Sequence, residues 1–254
     1  MSAMMDLAGH HINIRFHPYF DHFLKRHRTR EFSYPIIRRA SLCDIVESLG
    51  VPHTEIGAIR SQTHPLGFPF IPQRSMVIDI DPIPPPFDIC QKTLLRPEPF
   101  STLRFIVDEN VAKLASLLRI LGIDADYFSG ISDRELSRIA HDQKRVVLSK
   151  DTQLFKRKAI VFGRYIRSVK PLDQLKEVLD FFAFDHDFSP FSRCLDCNAP
   201  LHSIPKERII HRLEPKTKLY FNEFRHCETC DKIVWKGSHH DHMIASLKSV
   251  GIEL

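Results

Sequence analysis

LRFIVDENVAKLASLLRILGI, residues 103–123, decides the architecture of this chain. Phe105, Ile106 and Val107 form a short unbroken apolar run closed by Asp108 and Glu109, the pattern of a strand buried on both faces. Leu114, Leu117, Leu118 and Leu121 then recur at helical spacing, and Gly122 is placed to end that helix. Working outward, ISDRELSRIAHDQ (131–143) predicts a second amphipathic helix, with Ser132 as a cap and Glu135 three positions on. RVVLSKD (145–151) predicts another short buried strand that ends in an aspartate. Strands alternating with helices imply a parallel sheet, and ligand sites of such sheets lie beyond the carboxyl ends of the strands. Asp108 and Asp151 are expected on that edge.

Carboxylates gathered there can hold Mg2+ or Mn2+ through oxygen ligands. The leading candidates are Asp108, Asp133 and Asp151, with Glu109 and Glu135 in reserve and Asp126 and Asp142 less favoured. Each has a plainer reading too: Asp133 as a first-turn carboxylate, Asp151 as the cap of a TQLFKRK helix, Asp142 as a solvated group. Lys150, Lys156, Arg157 and Lys158 stand beside Asp151 and suit phosphate contact, or a merely solvated helix face.

Further along, Cys194-Leu-Asp-Cys197 and Cys227-Glu-Thr-Cys230 each offer two thiolates at knuckle spacing, separated by 29 residues. Two knuckles complete a tetrahedral sulfur shell, which predicts structural zinc with no position open for water. Cys43 and Cys90 read as ordinary thiols. Trp235, the single tryptophan, and His239, in a cluster with His240 and His242, are candidates for RNA contact. Packing of Trp235 against the ribbon is the alternative.

Before residue 103, INIRF and EFSYPI read as strands, SLCDIVESLGV as a helix and SMVIDI as a strand again. Six prolines in PIPPPFDICQKTLLRPEPF (82–100) deny helix and central strand and predict an extended connector. The expected organisation is a domain at 10–82, a linker at 83–101, a domain at 102–188 and a ribbon at 189–246. With 43% hydrophobic and 26% charged residues, global disorder is excluded. The formal charge of +5 permits an anionic partner without requiring one. No apolar run is long enough to span a membrane, and MSAMMDLAGHH lacks the marks of a secretory signal, so a cytoplasmic location is expected.

SLCDIVESLGVPHTEIGAI followed by SMVIDIDPI resembles the helix-to-last-strand portion of a ubiquitin-like β-grasp domain. The chain continues through Asp81-Pro82 where sulfur carriers end in a free Gly-Gly, so docking to a protein partner or positioning RNA is the role implied. FIVDENVAKLASLLRILGIDADY, SDRELSRIA, RVVLSKDTQLFKRKA, PFSRCLDCNAPL and CETCDKIVWKGSHHDHM resemble successive blocks of the Mut-seven C-terminal (Mut7-C) RNase family over residues 102–243. That family is PIN-like and also occurs with a β-grasp domain in front. The resemblance implies an α/β fold with a PIN-like parallel sheet, flanking helices and a C-terminal zinc ribbon, behind an N-terminal α+β β-grasp domain. Asp108, Asp133 and Asp151 resemble the retained PIN acids, whereas the helical glutamate of the usual four-acid set has no counterpart. The function implied is a divalent-metal-dependent ribonuclease acting on RNA. The alternatives are a non-catalytic module that positions RNA and, more weakly, a protein-interaction adaptor.

Overall fold

HINIRF (11–16) alternates polar and apolar side chains. In the computed structural model, which describes residues 10–184 and 188–253, it forms β1 (His11–Phe16), with Ile12, Ile14 and Phe16 buried and the residues between them exposed. The chain continues through β2 (Glu31–Pro35), α1 (Leu42–Ser48), β3 (Ile56–Ser61), β4 (His64–Pro65) and β5 (Met76–Pro82). Next come β6 (Phe105–Val107), α2 (Lys113–Ile120), β7 (Ala125–Asp126), α3 (Asp133–Asp142), β8 (Val146–Ser149), β9 (Gly163–Tyr165) and α4 (Pro171–Phe182). The last elements are β10 (His202–Ile204), α5 (Lys206–Ile209), α6 (Pro215–Tyr220), β11 (Phe224–His226), β12 (Ile233–Trp235) and α7 (Ser238–Lys248). Two units result: one takes residues up to Thr102 with Asp133–Val146 and Asp151–Tyr165, the other Leu103–Ser132, Val147–Lys150 and Ile166 onward.

The first unit is built on a sheet of strand order β2-β1-β5-β3-β4. β1 runs parallel to β5, with Ile14 opposite Ile78, and antiparallel to β2; β3 runs antiparallel to β5. First and last strands side by side, with one helix closing the core, is the β-grasp arrangement expected from the sequence. Leu42, Ile45 and Val46 of α1 join Ile12, Ile14, Ile78 and Ile80 in one buried cluster. Full burial of each such side chain contributes about 1.5–3 kcal/mol. Ser41 caps α1, its Oγ accepting from the Asp44 amide at 3.1 Å.

The proline-rich stretch forms neither helix nor strand, yet Ile83, Ile89, Leu95 and Phe100 are buried. Arg96, 2% exposed, donates to the carbonyls of Ile56 and Thr54 at 2.8 and 2.9 Å. In the same unit the buried Glu55 carboxylate accepts from the Tyr165 amide at 2.7 Å and from the Tyr19 hydroxyl, and Arg164 stands 3.3 Å from it. The TQLFKRK segment makes a 3-10 turn, Leu154–Lys156, rather than an α-helix.

In the second unit β6 lies between β7 and β8 and is parallel to β7, Phe105 pairing with Ala125. Helices α2 and α4 pack together beside it, burying Leu114, Leu118, Leu175 and Val178. The chain leaves α2 through Gly122 at φ +84°, where a Cβ would stand 2.4 Å from the Ser189 carbonyl oxygen, so both the turn and the close approach require glycine. β10, β11 and β12 form an antiparallel sheet around the cysteines, and α5 and α6 lie in the insertion between the two C-x-x-C pairs.

Candidate functional site

Two constellations in the second unit carry chemistry. The first is sulfur. Cys194 and Cys197 flank a tight turn, and Cys227 and Cys230 lie beyond the end of β11. The Sγ atoms of Cys194 and Cys230 are 3.6 Å apart and those of Cys197 and Cys227 3.3 Å, and all four lie within 4.8 Å of one another. A tetrahedral shell with Zn–S of about 2.3 Å places its sulfurs about 3.8 Å apart, so the set fits zinc with little movement. Without an ion the thiols oppose one another. Burial and neighbouring thiols push Cys197 up to about 12, whereas at Cys227 burial is overcome by amide donation from Cys230 and Thr229, and the thiol falls to about 7. Four thiolates at this separation call for a cation, and the cluster could hold a structural zinc.

The knuckle is bonded to the parallel sheet. Buried Arg119 of α2 donates to the carbonyls of Leu195 and Asp196 at 2.7 and 3.0 Å and to Ala125 O at 2.7 Å. Burial lowers its pKa, countered by the charges of Asp126, Cys197 and Cys194. Asn198, in the left-handed region at φ +68°, accepts from the Ala125 amide at 3.1 Å. Its Nδ2 donates to Asp124 at 2.8 Å and to Asp126 at 2.6 Å.

The second constellation lies at the carboxyl end of β6. Asp108 Oδ1 accepts from the Glu109 amide at 2.8 Å, and Oδ2 accepts from Ser149 Oγ and Asn110 Nδ2, both at 2.6 Å. Asn110 Oδ1 accepts from the Lys150 amide at 2.9 Å, which ties the end of β8 to the same cluster. Glu109 accepts from the Gly130 amide and the Tyr127 hydroxyl, and these bonds hold its pKa below the usual carboxylate range. The set is thus a fixed, oxygen-rich patch of the kind that hard divalent cations prefer.

The first unit holds Asp133 and Asp151. Asp133 begins α3, half-exposed, 3.6 Å from Arg157. Asp151 accepts from the Gln153 amide at 2.7 Å, ahead of a 3-10 turn and not of the α-helix that the alternative capping role supposed. Glu135 and Asp142 pair with Arg138, and Asp126 serves Asn198. Lys158 is 86% exposed, 3.9 Å from Asp44. Lys156 lines a cavity of about 320 Å3 together with His22, Lys25, Arg26, His27 and Gln153, so two basic clusters far apart in sequence meet in one hollow. Trp235 is 37% exposed, beside Phe221 and Phe224 at ring separations of 6.4 and 6.3 Å. The side chain of His239 lies outside the described residues.

A family model described as the Mut7-C RNAse domain matches residues 103–247, and one described as Mut7-C ubiquitin matches residues 9–88. The chain belongs to the Mut7-C family. No curated protein and no solved structure matches it. The Mut7-C RNAse match spans both the Asp108 cluster and all four cysteines, and supports a ribonuclease-like role in general terms. RNA as the partner of that region, and a protein as the partner of the ubiquitin-like one, are what the two Mut7-C descriptions suggest. Among the described residues no helix is long and apolar enough to cross a membrane.

Asn110, Ser149, Arg119 and Asn198 escaped sequence reasoning. Asn110 had one available signal, its place two residues after a strand-end aspartate; Ser149 closes an apolar strand and gave none.

Proposed function

We propose that the chain is a divalent-metal-dependent ribonuclease of PIN-like type, with Asp108 as the central carboxylate and Asp133 and Asp151 as further acidic groups. The observation that carries the reading is Asp108 itself, a strand-end carboxylate oriented by Ser149, Asn110 and a backbone amide inside the region matching an RNAse domain. Carboxylate, hydroxyl and amide oxygens form a donor set suited to Mg2+ or Mn2+. Such an ion, when bound, polarises the phosphodiester and lowers the pKa of an attacking water. The residues do the rest. Asp108 is held and aimed by three hydrogen bonds, so little reorganisation accompanies reaction, and Ser149 and Asn110 fix its rotamer.

RNA would be drawn to the basic hollow of Lys25, Arg26 and Lys156, with Arg157, Lys158 and Lys150 as further phosphate contacts. Trp235 and His239 are the proposed contacts of the ribbon with unpaired bases.

The test is cleavage of labelled RNA with Mn2+ by wild type and Asp108→Asn. The substitution keeps the side chain's shape, so loss of at least about 100-fold in rate with RNA binding retained is expected, the scale of removing one preorganised electrostatic group. RNA bound but uncut by the wild type would move the function to RNA positioning.

A further inference from the structure

Away from both constellations, one face of α1 meets the 3-10 turn His53–Glu55 at a group of three unlike ligand types. Cys43 and Glu47 are four residues apart, so both project from the same side of the helix. His53 Nδ1 lies 2.6 Å from Glu47 Oε1, and the sulfur of Cys43 completes a set whose donor atoms all fall within 4.8 Å of one another. The His53 and Glu47 side chains are 12% and 13% exposed.

The orientation of the imidazole matters most. His53 Nε2 is 2.8 Å from the carbonyl oxygen of Ile160. A carbonyl can only accept, so Nε2 carries the hydrogen and Nδ1 is the nitrogen turned toward Glu47. Anchoring of one ring nitrogen on a carbonyl while the other faces inward is how proteins set a histidine to bind metal. Nδ1 and a carboxylate oxygen, both lone-pair atoms, face one another at a distance that needs a positive charge between them. A proton fills that place in a simple ion pair; a metal ion fills it with Cys43 recruited as well. Phe68 closes one side, its ring edge-on to His53 at 5.8 Å and its carbonyl accepting from the Cys43 amide at 3.2 Å.

We propose that Cys43, Glu47 and His53 form a second metal site, in the ubiquitin-like region, for a zinc-class divalent cation with water in the fourth position. Sulfur, nitrogen and oxygen together suit a borderline ion, and the thiolate disfavours Mg2+ or Ca2+. With Zn–N and Zn–O near 2.0 Å, tetrahedral donors sit roughly 3.3 Å apart, so Glu47 and Nδ1 separate by about 0.7 Å on loading. The incoming ion displaces the proton between Nδ1 and the carboxylate and the proton of the Cys43 thiol, both released to solvent. A bound ion would pin α1 to the turn that follows it.

The experiment is a Co2+ titration of the full chain, read by absorption and elemental analysis, after the four-cysteine site has been filled with zinc. Wild type is expected to take one further equivalent with thiolate-to-cobalt absorption. Cys43→Ala, which leaves the His53–Glu47 pair in place, should lose that equivalent and keep the zinc, as should Glu47→Gln. No further equivalent in wild type, or one that survives Cys43→Ala, overturns the proposal and leaves His53 and Glu47 as an ion pair. Should Cys43→Ala fail to fold, the wild-type spectrum decides alone: added cobalt without thiolate absorption overturns it, and cobalt with thiolate absorption upholds it.

Discussion

Replacing Asn198 by alanine tests the join between the zinc knuckle and the parallel sheet. Asn198 is 5% exposed and makes three side-chain hydrogen bonds, one to the amide of the fully buried Ala125 and two to carboxylates. An unsatisfied buried amide costs about 1–3 kcal/mol, and hydrogen bonds to charged groups contribute about 1.5–3 kcal/mol, discounted here because water can reach Asp124. Alanine at a left-handed position adds about 1 kcal/mol, which asparagine partly escapes by local hydrogen bonding. Together these place the loss near about 4 kcal/mol for the second unit. The single tryptophan, Trp235, lies in that unit, so its fluorescence during urea unfolding of the zinc-loaded chain reports the change. With a slope of about 2 kcal/mol per molar urea, the midpoint should fall by about 2 M. Asn198→Gly, free of the backbone strain, should recover about 1 kcal/mol and no more. A midpoint shift below about 0.5 M for alanine, or full rescue by glycine, would refute the hydrogen-bond argument.

Two further outcomes follow from the geometry. Chelation of zinc, or acidification that returns protons to the thiolates, should unfold β10–β12 and change the Trp235 signal while the first unit keeps its sheet, checked by elemental analysis and fluorescence together. Charge reversal at Lys156, Arg157 and Lys158 should weaken binding to single-stranded RNA. Loss of three phosphate contacts would lower the slope of log affinity against log salt by about 2, and an unchanged slope would remove this surface from the RNA path.

Much of this was legible from local pattern. The alternation of HINIRF, the leucine stripe of α2, the glycine that ends it and the paired cysteines all leave periodic or spaced marks, because each is dictated by neighbours within a turn or two of chain. The supporting groups were not. Ser149 and Asn198 are isolated polar residues whose partners lie 41 and 72–74 positions away, and nothing near them in sequence announces a carboxylate to be held. Nor could the TQLFKRK turn be told from a helix, since its charges suit either and the choice of a 3-10 turn rests on burying Leu154 and Phe155. The division into two units likewise depends on long-range packing, for α3 and β9 group with the residues before Thr102 and not with their neighbours in sequence. The His53 site was invisible for the same reason, its ring being anchored 107 residues further on.

The buried guanidinium of Arg96 bears on how such a protein can be taken apart. Its acceptors are the carbonyls of Thr54 and Ile56, so a piece that stopped at Pro82 would take Arg96 from those oxygens and Leu95 from the core cluster it joins. In gene rearrangement, the segment able to travel with this interior intact must run through the prolines and on to the residues that meet Glu55, Arg164 and Tyr165 among them. The prolines are then part of the cargo and not the string that ties it on.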